Sequence, residues 1–308
     1  MEDTQERISL TLGDRKNMNI KKIVAAVTIG LASLSAMATP VAQVYGDVEI
    51  KLGGLTTGTN LTAGSDETTW GVGYLETIAS FGNLTKWTAG TDDGYLYYMI
   101  YGIADLSIIP RLGGGFDIYN IGATGGVADG NIHLDIYYSA TKIPSIDQFK
   151  NANPALRTGY NSYSAFTGLG PAYLELVFGR DIQQVNRAGT AEDETLATLV
   201  QEANEQTLPT TGKGSMFLDV VGGTAAAQWN LNGQDFGHDM SGNFTIRPNY
   251  GPGRNPNCTL QMVTDGVCFA GLVNDPIITA KVPEPASLAL FGLGLAGLAG
   301  LRRRRNSK

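Results

Sequence analysis

Trp70-Gly71-Val72-Gly73-Tyr74-Leu75-Glu76-Thr77-Ile78 reads as a β-strand, and this reading decides the fold class. The stretch is built from aromatic, aliphatic, β-branched and glycine residues, and its apolar positions do not recur at helical spacing. Working outward, the same texture returns at residues 95–103, 116–121, 132–140, 173–178 and 217–221. Within 116–121, Phe116, Ile118 and Asn120 alternate with Asp117, Tyr119 and Ile121, an imperfect form of the period-two pattern of a half-buried strand. Asp92-Asp93-Gly94 and Gly113-Gly114-Gly115 supply turn chemistry between such runs. The expectation is an antiparallel all-β body, with a β-sandwich as the default architecture.

One segment departs from that texture. Over residues 191–206, Leu196, Leu199, Val200 and Ala203 recur at helical spacing, with Thr190 placed to cap the start. Glu192, Asp193 and Glu194 sit where the helix dipole favours anions. This predicts one amphipathic helix packed beside the sheet.

Apolar density marks the two ends. Residues 23–38 form an apolar run behind Asn19-Ile20-Lys21-Lys22 and close on Ala36-Met37-Ala38. A basic segment, an apolar run and a small-residue site make a secretory signal peptide over residues 18–38, cut after Ala38, with Ala36 and Ala38 at the cleavage positions, the alternative being a transmembrane anchor retained at this end. Residues 1–17 put acids ahead of the basic region, so Met18 is read as the true start. The second run, 286–301, precedes Arg302-Arg303-Arg304-Arg305. As a helix it would extend about 24 Å at 1.5 Å per residue, short of the roughly 30 Å hydrocarbon core. The arginines would stay cytoplasmic, which sends the body outward. Before it stands Val282-Pro283-Glu284-Pro285, kept extended because each proline fixes φ and lacks an N–H.

Pro283-Glu284-Pro285, a Gly/Leu/Ala-rich helix and an arginine cluster, in that order, resemble the PEP-CTERM sorting domain. The resemblance implies recognition of the tripeptide by a membrane-embedded cysteine transpeptidase, an exosortase, in polysaccharide-producing Gram-negative bacteria. Pro283, Glu284 and Pro285 would be the recognition residues, with the helix and Arg302, Arg303, Arg304 and Arg305 holding them at the membrane. The alternative is a plain C-terminal tail anchor. Thr68-Thr69-Trp70-Gly71-Val72-Gly73, Trp87-Thr88-Ala89-Gly90, Tyr97-Tyr98-Met99-Ile100-Tyr101-Gly102 and residues 217–225 are similar to segments of flocculation-associated proteins that bear this tag. That likeness implies a matrix protein that helps cells aggregate.

The chain thus divides into residues 1–17, a signal peptide at 18–38, an exported β-rich body at 39–281 and a sorting and anchoring tail at 282–308. Over residues 39–283 there are 24 Asp plus Glu against 12 Lys plus Arg, a balance of −12 against −7 for the whole chain. Such an acidic body argues against binding nucleic acid or anionic lipid, since both need a positive surface. Cys258 and Cys268, the chain's two cysteines, are expected to form a disulfide in an oxidising compartment.

Chemistry-bearing motifs are sparse. His133 falls on a strand pattern and is expected at the surface; His238 has Asp235 and Asp239 beside it, a weak cation-site pattern. Asp66-Glu67 and Asp92-Asp93 read as solvated turns ahead of calcium sites. There is no Gly-x-Ser-x-Gly elbow and no His-Glu-x-x-His. Trp70, Trp87, Tyr97, Tyr98, Tyr101, Tyr137 and Tyr138 are expected to fill the core, the alternative being a face that stacks on sugars. The expectation is a structural or adhesive protein, not an enzyme, without cofactor, on the cell surface or in the extracellular matrix, with polysaccharide as a candidate partner. The alternative is a secreted carbohydrate-binding module or carbohydrate-active enzyme with the same tag.

Overall fold

The computed structural model describes residues 44, 46–58, 66–80, 84–92, 94–147, 152–179, 199–203 and 211–282. The signal segment with Ala36 and Ala38, the tail with Pro283, Glu284, Pro285 and Arg302 to Arg305, and residues 191–198 and 204–206 of the predicted helix lie outside them. Among the described residues thirteen strands follow in order: β1 (Gly46–Gly58), β2 (Thr69–Ser80), β3 (Leu84–Thr88), β4 (Tyr95–Pro110), β5 (Phe116–Gly122), β6 (His133–Ser139), β7 (Arg157–Gly159), β8 (Ser162–Tyr163), β9 (Leu174–Phe178), β10 (Leu199–Ala203), β11 (Gly212–Gly222), β12 (Met240–Pro248) and β13 (Gly271–Val282).

Eleven of these form one sheet, in the order β10-β5-β4-β6-β9-β11-β12-β13-β1-β2-β3, and β2 also pairs β4. That last pairing closes the sheet on itself through β1, β2, β4, β6, β9, β11, β12 and β13. Every ladder among them is antiparallel. The expected all-β antiparallel body is therefore present, and its two facing layers are continuous where an open sandwich would have free edges. Register shows the stagger. A path from Ser80 across Val48, Ala280, Met240, Leu218 and Phe178 regains β2 near Trp70, as strands tilted around a common axis require.

Alternate residues point inward. Val48, Ile50 and Leu52 of β1 meet Leu75 and Ile78 of β2, Leu134 and Ile136 of β6, Leu176 of β9, Leu218 of β11 and Ile278 of β13 in one buried cluster. Each such side chain contributes about 1.5–3 kcal/mol by leaving water. A second cluster covers the outer face of β2 and β4. There Trp70, Tyr97, Met99 and Tyr101 pack beneath Ile146, Tyr163 and Phe166 of the long connection from β6 to β9. The aromatic residues expected in the core are there: Trp70, Trp87, Tyr97, Tyr98 and Tyr101 are buried, and Tyr137 and Tyr138 are half-buried against the two clusters.

The predicted helix over 191–206 is corrected where it is described. Leu199–Ala203 is strand β10, paired with β5 on one side and β11 on the other. The upper halves of β5 and β11 would otherwise expose unpaired backbone groups, and a strand between them satisfies both. Tertiary pairing outweighs the local helical spacing.

Candidate functional site

The two ends of the folded body meet. Gly46, the first residue of β1, pairs with Val282, the last of β13, and Asp47 pairs with Lys281. On its other side β13 pairs β12 from Ala280 opposite Met240 to Gly271 opposite Pro248. Ile278, Ala280 and Val282 point inward and are buried, whereas Lys281 is exposed. The hydroxyls of Thr279 and Ser241 lie 2.8 Å apart across β12 and β13. Beneath this exit the short helix Ala226–Trp229 plugs the barrel with the buried Trp229, and Gln228 donates from Nε2 to the Val44 carbonyl at 3.2 Å. The chain therefore enters and leaves the body at one end of the barrel.

Beside the exit runs the connection from Trp229 to β12. Asp239, buried, accepts from the backbone N–H of Val220 at 2.8 Å and of Asn232 at 2.6 Å, and also from that of Leu231. A carboxylate taking three N–H donors is a fixture of the loop. His238 is buried, lies 3.0 Å through Nδ1 from the Asp219 carboxylate, and stacks on Phe217 at 4.9 Å. Its sequence neighbours Asp235 and Asp239 do not gather around it. His133 stacks on Tyr101 at 4.9 Å and lies 3.0 Å from Asp129. Among the described residues no group of three or more His, Cys, Asp or Glu side chains is placed to hold a metal ion.

The two carboxylates whose pKa is raised are buried within the framework. Burial pushes the Asp105 carboxyl up to about 6, against the pull of hydrogen bonds from Thr68 and Asn120. Asn120 Nδ2 donates to Asp105 Oδ1 at 2.6 Å, tying β5 to β4. Burial likewise pushes Asp135 up to about 6, although the Tyr101 hydroxyl donates to it at 2.8 Å.

At the opposite end of the barrel, Cys258 and Cys268 are bonded, with Cα atoms 6.3 Å apart. They close a small lobe between β12 and β13 with its own cluster of Val263 and Ala270. That lobe forms one wall of a cleft of about 780 Å³, whose other walls include Glu67, Trp70, Arg157 and Tyr160. Arg157 reaches Glu67 through Nη1 at 2.5 Å and Nη2 at 3.1 Å, and its guanidinium lies 4.7 Å over the Trp70 ring. The pairing of Glu67 with Arg157 joins residues far apart in sequence, so no local pattern announced it.

The last strand of the closed all-β body is followed directly by a sorting address, and it is this address that marks the chain as exported and envelope-associated. The address itself is the PEP-CTERM protein-sorting motif, whose family model matches residues 281–305, so the chain carries the tag that an exosortase recognises. No curated protein and no solved structure matches the chain.

Proposed function

We propose that this protein is a structural or adhesive component of the extracellular polysaccharide matrix, delivered to the outer surface of a Gram-negative cell and turning over no substrate. The observation that carries the reading is the sorting motif at residues 281–305 beginning on the last two residues of a complete barrel. Export proceeds through the signal at 18–38, and processing near Pro283-Glu284-Pro285 separates the body from the apolar run and its arginines. The acidic body suits an extracellular gel, in which divalent cations bridge carboxylates of protein and polysaccharide. Aggregation of cells into flocs or biofilm is the expected consequence.

The test is the intact mass and location of the protein from native cells, with and without Pro283, Glu284 and Pro285 replaced by alanine. The wild type should lack signal and tail, and the variant should remain in the membrane at full tail length. Retention of the tail by both would reduce the C-terminus to an ordinary anchor.

A second reading rests on the cleft between Glu67, Trp70, Arg157 and Tyr160, whose size suits a sugar unit of the matrix. Calorimetric titration with neutral and acidic oligosaccharides decides it: binding lost in Arg157→Ala supports a carbohydrate-binding module, and no heat with any of them removes it.

A further inference from the structure

We propose that the end of the barrel where β1 begins and β13 ends is a lipid-facing surface, with Phe236 as its interfacial anchor. The inference rests on the sorting-tag reading and adds an orientation to it. Val282 is fixed in the sheet opposite Gly46, and the apolar run starts at Ala286. Only Pro283, Glu284 and Pro285 intervene, and three residues of any conformation span at most about 10 Å. While the tail is in the bilayer, that end of the barrel lies against the headgroups. The opposite end, with the β4–β5 hairpin and the disulfide lobe, faces outward.

A separate observation points to the same surface. Phe236 is 54% exposed and has φ of 59°, a left-handed backbone that a bulky residue rarely adopts. Its loop is not slack. Asp239 pins Leu231 and Asn232, Gln234 N donates to the His238 carbonyl at 2.8 Å, and the Phe236 ring meets Phe217 edge-on at 5.8 Å. The loop is also tied to the exit. Ser241, beside Thr279 on the last turns of the sheet, donates to Gln234 Oε1 at 3.2 Å, and Gly233 packs on the Lys281 stem. A strained backbone thus holds an aromatic ring in water within a few residues of the point where the chain enters the membrane. Val221, also exposed, ends β11 at the same end of the barrel. Aromatic rings settle at the membrane–water interface, where an apolar body and a polar surround are both satisfied. Asp47, Asp235 and Lys281, next to the ring and the exit, are charges that would remain in the headgroup layer.

The experiment uses the full chain in vesicles of zwitterionic phosphatidylethanolamine and phosphatidylcholine, which do not repel the acidic body, with an environment-sensitive fluorophore on one introduced cysteine; the native pair is bonded and does not react. Phe236→Cys and Val221→Cys report the tag-bearing end, and Leu112→Cys reports the tip of the β4–β5 hairpin. A headgroup-attached quencher should quench the first two labels at least threefold more than the third. Equal quenching, or stronger quenching at Leu112→Cys, overturns the orientation while leaving the tag reading intact. Failure of the chain to float with the vesicles overturns both. A second comparison isolates the ring. Phe236→Gly, which relieves the positive φ, should keep the thermal midpoint of the parent and halve the quenching at Val221→Cys. Unchanged quenching would remove Phe236 from the surface.

Discussion

Tyr98 lies across Gly54 of β1 and Gly73 of β2, two glycines paired directly in register. A Cβ at Gly73 would collide with the Gly53 carbonyl and the Tyr98 ring, so the missing side chains make room for the aromatic that covers them. Gly73→Ala should therefore cost about 2–3 kcal/mol through overpacking, read as a drop of roughly 4–10 °C in the thermal midpoint. Asp105 makes a prediction of a different kind. Its carboxyl is raised to about 6 in the fold by burial, whereas an unfolded chain loses that proton near pH 4. Between those values the native state binds the extra proton, so the stability it contributes is full below about pH 4 and is lost as pH rises through about 6. Thermal scans from pH 4 to pH 7 should show a decline in the wild type that is smaller in Asp105→Asn, and parallel profiles would contradict the assignment. The same neighbourhood explains why β5 alternates poorly. Asp117 and Tyr119 are buried on one face while Ile118 and Asn120 are buried on the other, so neither face has to be polar.

At the scale of elements, the disulfide lobe is the most separable part. Cys258 and Cys268 close a loop ten residues apart in sequence, which should stabilise by about 2–3 kcal/mol through the entropy removed from the unfolded chain. Cys258→Ser with Cys268→Ser should lower the midpoint accordingly and speed amide exchange from residue 250 to 270, with the β1–β2 ladder still protected. Exchange that rises equally everywhere would mean the lobe is part of the main cooperative unit. The strands that the sequence announced were those with an unbroken aromatic and β-branched texture, β2, β4, β5, β6, β9 and the second half of β11. β1 was silent because Gly53-Gly54 looks like a turn, although in the fold those residues accommodate Tyr98. β13 was silent because Asn274-Asp275-Pro276 interrupts it, and the ladder with β12 does slip there, between Asn243 and Thr245. β10 read as helix because a five-residue strand is decided by what lies on either side of it. The cleft pair Glu67 and Arg157, and the loop that presents Phe236, depend on contacts across the fold and had no local signal.

For the molecule as a whole, the boundary between body and address is the informative feature. Among the described residues the last strand ends at Val282, so processing at Pro283 would leave every described rung of the barrel in place. A chain ended after Val282 keeps every described rung of β13 and should melt within about 2 °C of the full-length protein. A chain ended after Asn274 lacks every rung between Lys51 and Gly46 of β1, which opens the barrel, and it should show no cooperative transition. What was legible at this scale was the address, because its three parts stand in a fixed order along the chain. Closure of the sheet was not, because the pairing of β2 with β4 depends on how far the strands tilt.

The placement of β13 also bears on load. A protein held at Val282 and pulled by whatever grips its outward end is strained along the length of a strand bonded on both flanks, so many rungs resist together. A pull between Gly46 and Val282 would instead peel the same rungs one after another. Load applied through Val282 along β13 would therefore meet the body in its stiff direction, and load applied between its own termini would meet it in its weak one.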